Sequence, residues 1–342
     1  MTDSPTYCYF YRLPGQREVI GGCSDRKLQS PEGKGFMISS FKSESNIFIP
    51  CDSDCELSDV QAVMDRNQGN SIYRFPQVST EREDHRREVC DIVECEKQGL
   101  VRKVVAARCR VCEGKVDIAE TFRELCRRYP DAFVFLFSTP DSGTWMGATP
   151  ETLLIRKGNQ IESMALAGTR RAGTVGPWDE KNRKEQQVVT EHITSVFREC
   201  GLESQTEGPV TRQAGDIEHQ MTVVKAKIDD EYGSNAFKIL AHRLSPTPAV
   251  CGMPTTEAMA VIEANEGFER AYFGGYCGPC EANGDFRLYV NLRSGWFEPD
   301  RFCLMAGGGI MPESNPEAEW EETERKMDTL LKAIKQNPNP NI

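Results

Sequence analysis

The short connections between the late apolar runs constrain this fold more than any other feature. Residues 271–278, 286–293 and 301–306 are rich in aromatic and aliphatic side chains, with Asn283-Gly284 and Pro299-Asp300 between them. Asn-Gly and Pro-Asp pairs form turns, whereas parallel neighbours need a crossover of a dozen or more residues. The spacing therefore predicts a three-stranded antiparallel meander. Residues 151–168 alternate as a hairpin turning at Lys157-Gly158-Asn159. Helical spacing runs over 83–98 (Val89, Ile92 and Val93 on one side), 118–129 and 181–197 (Val188, Ile193, Val196 and Phe197). Apolar runs at 100–111 and 132–138 read as buried strands, and 7–11 and 36–48 contain further strands. There is no internal repeat. The pattern predicts an α+β fold: one large domain with antiparallel sheets and helices packed on their outer faces.

Size and charge narrow the function. The chain has 342 residues, 39% of them hydrophobic and 27% charged, the balance of a globular protein with a sizeable core. No apolar run approaches the roughly 20 residues that span a bilayer. Met1-Thr2-Asp3-Ser4-Pro5 lacks the basic and apolar regions of a secretion signal, so a cytoplasmic protein is expected. A net charge of −11 opposes nucleic acid and anionic membrane surfaces. An anionic substrate would then need a local cluster of cations or a metal ion. Of the fourteen cysteines, Cys109/Cys112 and Cys277/Cys280 have C-x-x-C spacing, but both pairs lie in strand-like runs. They read as buried thiols and not as a zinc site.

Asn315-Pro316 is an N-cap followed by proline in the first helical turn. On the helix that follows, Glu319, Glu322 and Lys326 fall at i, i+3 and i+7, on one face. Taken alone, such a stripe is a common solvated surface. Placed after the Gly307-Gly308-Gly309-Ile310 loop, two carboxylates and an ammonium also suit a hard cation and an anionic ligand.

Five segments together resemble the chorismate-utilising enzymes, the family of isochorismate, salicylate, anthranilate and aminodeoxychorismate synthases. They are Arg102-Lys103-Val104-Val105, Met146-Gly147-Ala148-Thr149-Pro150-Glu151, Leu166-Ala167-Gly168-Thr169-Arg170 and Leu244-Ser245-Pro246-Thr247-Pro248-Ala249-Val250-Cys251-Gly252. The fifth runs from Phe273-Gly274-Gly275 through Val290-Asn291-Leu292-Arg293 to the glycine run and the Glu319-Trp320-Glu321-Glu322-Thr323 helix. The match covers residues 80–335. Residues 1–80 then form a divergent part of the same domain and 336–342 a tail. The resemblance implies a sandwich of two antiparallel sheets flanked by helices, with chorismate bound in the cleft between them.

It also implies roles. Lys103 matches the family's general base and Glu151 its general acid, which calls for an amine held neutral and a carboxyl held protonated. Glu185 and Glu322 match ligands of Mg²⁺, with Glu319 one turn away as an outer or orienting carboxylate. Arg293 matches the residue that grips a substrate carboxylate, with Lys326 adding charge. Gly168, Thr169, His219, Ala249, Val250 and Phe273 match substrate-facing positions. Gly307, Gly308 and Gly309 would let backbone N–H groups approach an anion.

Within the family, ammonia-using anthranilate synthases usually carry glutamine where this chain has Lys103. Aminodeoxychorismate synthases use a lysine that Pro246-Thr247-Pro248-Ala249 lacks. Salicylate synthases tend to carry threonine in place of Ala249. The resemblance thus implies a Mg²⁺-dependent isochorismate synthase, monomeric, feeding menaquinone or siderophore synthesis. Salicylate synthase and, after it, anthranilate synthase component I are the alternatives.

Overall fold

The computed structural model describes residues 6–215, 217–229, 232–233 and 236–335. Both the N-terminal pentapeptide and the expected tail at 336–342 lie outside the described residues. Sixteen strands among those described form two eight-stranded sheets, and every pairing is antiparallel.

The first sheet has the order β12-β5-β16-β15-β7-β6-β1-β2: Gly252–Met253, Lys103–Glu113, Arg301–Ile310, Ser294–Phe297, Gly143–Thr149, Phe133–Thr139, Tyr7–Arg12 and Ile20–Ser24. The second has the order β10-β11-β9-β8-β14-β13-β3-β4: Ser204–Ala214, Ile217–Lys227, Gln160–Arg171, Thr152–Lys157, Phe286–Val290, Tyr276–Cys280, Gly35–Ser39 and Asn46–Pro50. Residues 7–50 thus supply two strands to each sheet.

The inner faces meet in an aromatic layer. On β6, Phe133, Phe135 and Phe137 point into it, beside Trp145, Tyr272, Tyr289 and Trp296. Val134 and Leu136 point the opposite way, into the core beneath α3 (Ile118–Arg128) and α6 (Pro316–Leu331). Side chains alternate along a strand, and here helices cover the face opposite the aromatic layer. The 132–138 segment is therefore apolar throughout instead of alternating. α1 (Val60–Asn67) also packs on this outer face, while α4 (Glu180–Glu199) covers β9 and β11 of the second sheet. α2 (Arg82–Lys97) and α5 (Thr255–Asn265) sit against β5.

The predicted meander is corrected. Phe286–Val290 and Arg301–Ile310 belong to different sheets, and residues 291–293 carry the chain from one to the other. An unforeseen strand, Ser294–Phe297, is the partner that β16 reaches through the Pro299-Asp300 turn. Arg293 makes the crossing in a left-handed conformation at φ 51°, an uncommon state for a non-glycine residue. Residues 271–275 are turns, so β13 begins only at Tyr276. Gly307, Gly308 and Gly309 are not a loop either. They are strand residues at the end of β16, opposite Ala107, Ala106 and Val105 of β5.

Candidate active site

A cavity opens between the sheets, lined by Val105, Pro150, Glu151, Leu166, Ala167, Gly168, Thr169, Glu185, His219, Ala249, Val250, Phe273, Leu292, Arg293, Met305, Ala306, Gly307, Gly309 and Lys326. Both sheets, α4, α6 and the 291–293 crossing contribute. Twelve of the sixteen residues singled out from the sequence are on this wall. Lys103, Gly308, Glu319 and Glu322 stand just behind it.

A bulge aims the histidine. Ala167 pairs with Gln220 and Thr169 with His219, which leaves Gly168 unpaired at φ 74°. That geometry suits glycine, and any Cβ there would lie 3.0 Å from the Asn182 carbonyl. Asn182, in the first turn of α4, accepts the Thr169 N–H through Oδ1 at 2.8 Å. Its own N–H donates to the N-cap Asp179 at 2.8 Å. The bulge is thereby tied to the start of the helix that carries Glu185.

His219 lies 3.0 Å through Nδ1 from the Gly168 carbonyl and 3.0 Å through Nε2 from the Arg293 guanidinium. Arg293 can only donate, so Nε2 accepts and Nδ1 carries the proton. Burial first, then the positive charges of Arg293 and Lys326, push the imidazole pKa down to about 3. The ring is neutral and acts as a strut for Arg293. Burial also lowers the Arg293 pKa to about 10, which leaves it cationic at neutral pH.

Glu151 lies in the two-residue link between β7 and β8, directly before Thr152, and is 2% exposed. Burial pushes its carboxyl up to about 8, against the opposing pull of Lys103, Lys326 and Arg293. Its Oε1 has no hydrogen-bond partner. Near neutral pH this is a protonated acid facing a cavity. Lys103, at the start of β5, is fully buried with Nζ 3.1 Å from Glu185 Oε1. A Cβ at Gly309 would lie 2.1 Å from Glu185 Oε1 and 2.9 Å from Lys103 Cε. Glycine at this position makes room for the pair.

Gly308 serves the other side of β16, where a Cβ would meet Glu319 Oε2 at 3.0 Å and Glu322 Oε1 at 3.7 Å. The sequence suggested an anion cradle of backbone N–H groups. What these two glycines visibly provide is space for carboxylates. Lys326 Nζ donates to Glu322 and to the Gly307 carbonyl, both at 2.7 Å. Burial would raise the Glu322 pKa, but Lys326 and Lys181 outweigh it and hold the group down to about 2. Glu319 is displaced the other way, by burial and then by the charge of Glu322. Its Oε1 accepts from Lys181 at 2.6 Å and Ser314 at 2.7 Å, while Oε2 is buried without a partner.

Lys181 and Asn182 were not singled out from the sequence. Lys181 lies four residues before Glu185, one turn away on the same face of a predicted helix, which is a usable signal. Val105 and Met305 were also missed, although period-two spacing from Lys103 and from Gly307 and Gly309 places them on the same strand faces.

The family model for chorismate binding enzymes matches residues 54–335. This chain belongs to that family. It is 31% identical over 244 residues to isochorismate synthase EntC of Escherichia coli K12, covering 68% of this chain and 62% of the relative. It is 30% identical over 255 residues to isochorismate synthase DhbC of Bacillus subtilis 168, covering 69% and 64%. The aligned part thus spans somewhat under two thirds of the length of these relatives. A Bacillus anthracis structure provisionally assigned as a 2,3-dihydroxybenzoate-specific isochorismate synthase superposes with a TM-score of 0.80 at 25% identity, over 96% of both chains. The chorismate-binding family thus shares the two-sheet sandwich seen here. No described helix is long and apolar enough to cross a membrane.

Proposed function

We propose that this chain isomerises chorismate to isochorismate, by water addition at C2 and loss of the C4 hydroxyl. Hydroxide leaves poorly unless protonated, and water attacks poorly unless deprotonated, so an acid and a base must serve opposite positions of one ring. The observation that carries the reading is a buried carboxyl with its pKa near 8 facing the cavity, with a fully buried lysine behind the wall within its electrostatic reach. In this reading Glu151 protonates the departing C4 oxygen. Lys103 takes the proton from the attacking water once its own proton has passed to the Glu185 carboxylate, 3.1 Å away.

Substrate carboxylates would be held by Arg293, braced by His219, and by Lys326. Gly168 and Thr169 line the cavity beside His219, and Ala249, Val250 and Phe273 supply its apolar surface.

Mg²⁺ fits the donor set in part. Glu185, Glu322 and Glu319 are hard oxygen donors, and Glu319 Oε2 is buried without a partner. Among the described residues no three acidic, histidine or cysteine side chains converge into a complete protein shell. Mg²⁺ commonly takes one or two carboxylates and completes its coordination with water and substrate. We assign Glu185 and Glu322 as its holders, with Glu319 behind them. The ion would supply positive charge to a substrate carboxylate.

Names of relatives that make isochorismate, together with Lys103 and Ala249 at the discriminating positions, support water as nucleophile and isochorismate as product. Incubating the purified chain with chorismate, with and without Mg²⁺, tests this by chromatography. Isochorismate should accumulate to an equilibrium with chorismate. Salicylate plus pyruvate as the main product would move the assignment to a salicylate synthase, and no turnover would remove both.

A further inference from the structure

Far from the cleft, three thiols meet under the connection from β4 to α1. Cys8 of β1 and Cys23 of β2 are directly opposite one another. The Cys23 amide and carbonyl turn away from β1, bonding residues 52 and 53 at 3.0–3.3 Å. The Cys8/Cys23 pair is therefore of the non-hydrogen-bonded kind, whose side chains lie closest. The 51–59 segment rests on this pair, and a Cβ at Gly21 would lie 2.6 Å from the Cys55 carbonyl. The Cys55 thiol packs against the core cluster that holds Cys8 and Cys23 and interacts with both thiols. Cys8 is fully buried and Cys23 nearly so, while Cys55 is partly exposed.

The three sulfurs differ in what they can do. Cys23 Sγ is 3.1 Å from Ser53 Oγ and also contacts the carbonyls of Ser53 and Asp54 at 3.7 and 3.8 Å. Cys8, deep in the core, has Cys55 as its thiol partner. The trio does not meet the geometry of a metal centre. An accessible sulfur touching a buried one has the layout of an oxidisable thiol with a resolving partner.

We propose that Cys55 is an oxidation site for hydrogen peroxide and that it resolves onto Cys8 as a disulfide. The Cys55 thiolate attacks one peroxide oxygen, the O–O bond breaks, and the departing oxygen leaves as water after taking up a proton. Cys55 is then a sulfenic acid. The Cys8 sulfur attacks the Cys55 sulfur, the S–S bond forms and the S–O bond breaks. The hydroxyl leaves as a second water with the proton from Cys8. Two thiols lose two electrons and two protons, and one peroxide becomes two waters. The bridge would staple the connection between the two sheets onto β1, without reference to the cleft chemistry.

The full chain treated with a small excess of hydrogen peroxide, digested without reductant and mapped by mass spectrometry should yield a linked peptide joining Cys8 to Cys55, lost on adding dithiothreitol. The Cys23→Ser variant should form the same link, and Cys55→Ser should leave Cys8 a free thiol. Accumulation of unlinked sulfenic or sulfinic acid at Cys55 would overturn the proposal. So would a bridge that includes Cys23. The wild-type map decides the matter even if a variant fails to fold.

Discussion

Two poles of one cleft treat the same side chain in opposite ways. At one pole Glu151 is buried without an ion-pair partner and holds its proton up to about pH 8. At the other, Glu185, Glu319 and Glu322 each sit beside a lysine, at 3.1, 2.6 and 2.7 Å. There Glu322 stays ionised down to about pH 2. Both poles are desolvated, so burial alone does not decide the protonation state. Local cations do. Lys103, Lys326 and Arg293 act on Glu151 only from a distance and fail to overcome its burial, whereas direct contact with Lys326 succeeds at Glu322. A cleft with one neutral acid and one anionic pole can donate a proton at one end and hold a cation at the other.

The largest expected effect comes from removing the acid while keeping its shape. Glu151→Gln should lower kcat by about 10²–10⁴-fold, the usual share of a general acid, with chorismate binding within a few-fold of wild type. Turnover near the wild-type rate would dissolve the distinction between the poles. The same carboxyl sets a pH dependence. Activity requires its protonated form, so kcat/KM should fall about tenfold per unit as pH rises above 8. The stability sign follows from a folded pKa raised above 4.5. Its contribution is fully present below 4.5 and is lost as pH rises through 8. Glu151→Gln should therefore melt progressively higher relative to wild type as pH rises from 4.5 to 8 and level off above that, with at most about 1.4 kcal/mol gained per pH unit across that window. A melting difference independent of pH would place the proton elsewhere.

The anionic pole is probed by Glu322→Gln. Neutralising this carboxylate should raise the Mg²⁺ concentration for half-maximal activity by about 10–100-fold, the range found for groups supporting a metal site. The Lys326 ammonium, released from its 2.7 Å contact, is then free to compete for the ion's place. An unchanged Mg²⁺ requirement would show that the pole serves another purpose.

What could be read from the chain beforehand follows the range of the forces involved. Local signals held. The Asn315 cap accepts from Glu317 and Ala318 N–H groups, and α6 begins at Pro316. The hairpin turns at Gly158-Asn159, and the stripe of Val188, Ile193, Val196 and Phe197 is the buried face of α4. The meander failed because the β14 and β15 runs look continuous in sequence, yet the left-handed Arg293 sends them to different sheets. No local propensity marks an arginine at positive φ. Site residues carried by motifs were legible by likeness. Lys181, Asn182 and the bulge at Gly168 depend on how α4 docks against β9, which is a tertiary fact. The glycine run shows the same limit: three small residues in sequence do not reveal which carboxylate fills the space beside each one.

The smallest expected effect separates charge balance from ligation. Lys181 donates to Glu319 and is held above the ordinary lysine pKa, because Glu319, Glu185 and Glu322 outweigh its burial. It competes for the same carboxylates that the proposed Mg²⁺ would use. Lys181→Met leaves every oxygen donor in place and removes one unit of positive charge. The half-saturating Mg²⁺ concentration should fall by about two- to fivefold, corresponding to roughly 0.4–1 kcal/mol for one nearby, partly screened charge. Glu319 should take up a proton in compensation, which limits the gain. This change is opposite in sign to that of Glu322→Gln, although both variants remove a charge from the same cluster. If Lys181→Met instead weakened the Mg²⁺ response, the lysine would have to be orienting Glu319 for the ion, and the anionic pole would be a built ligand set in place of a balance of charges.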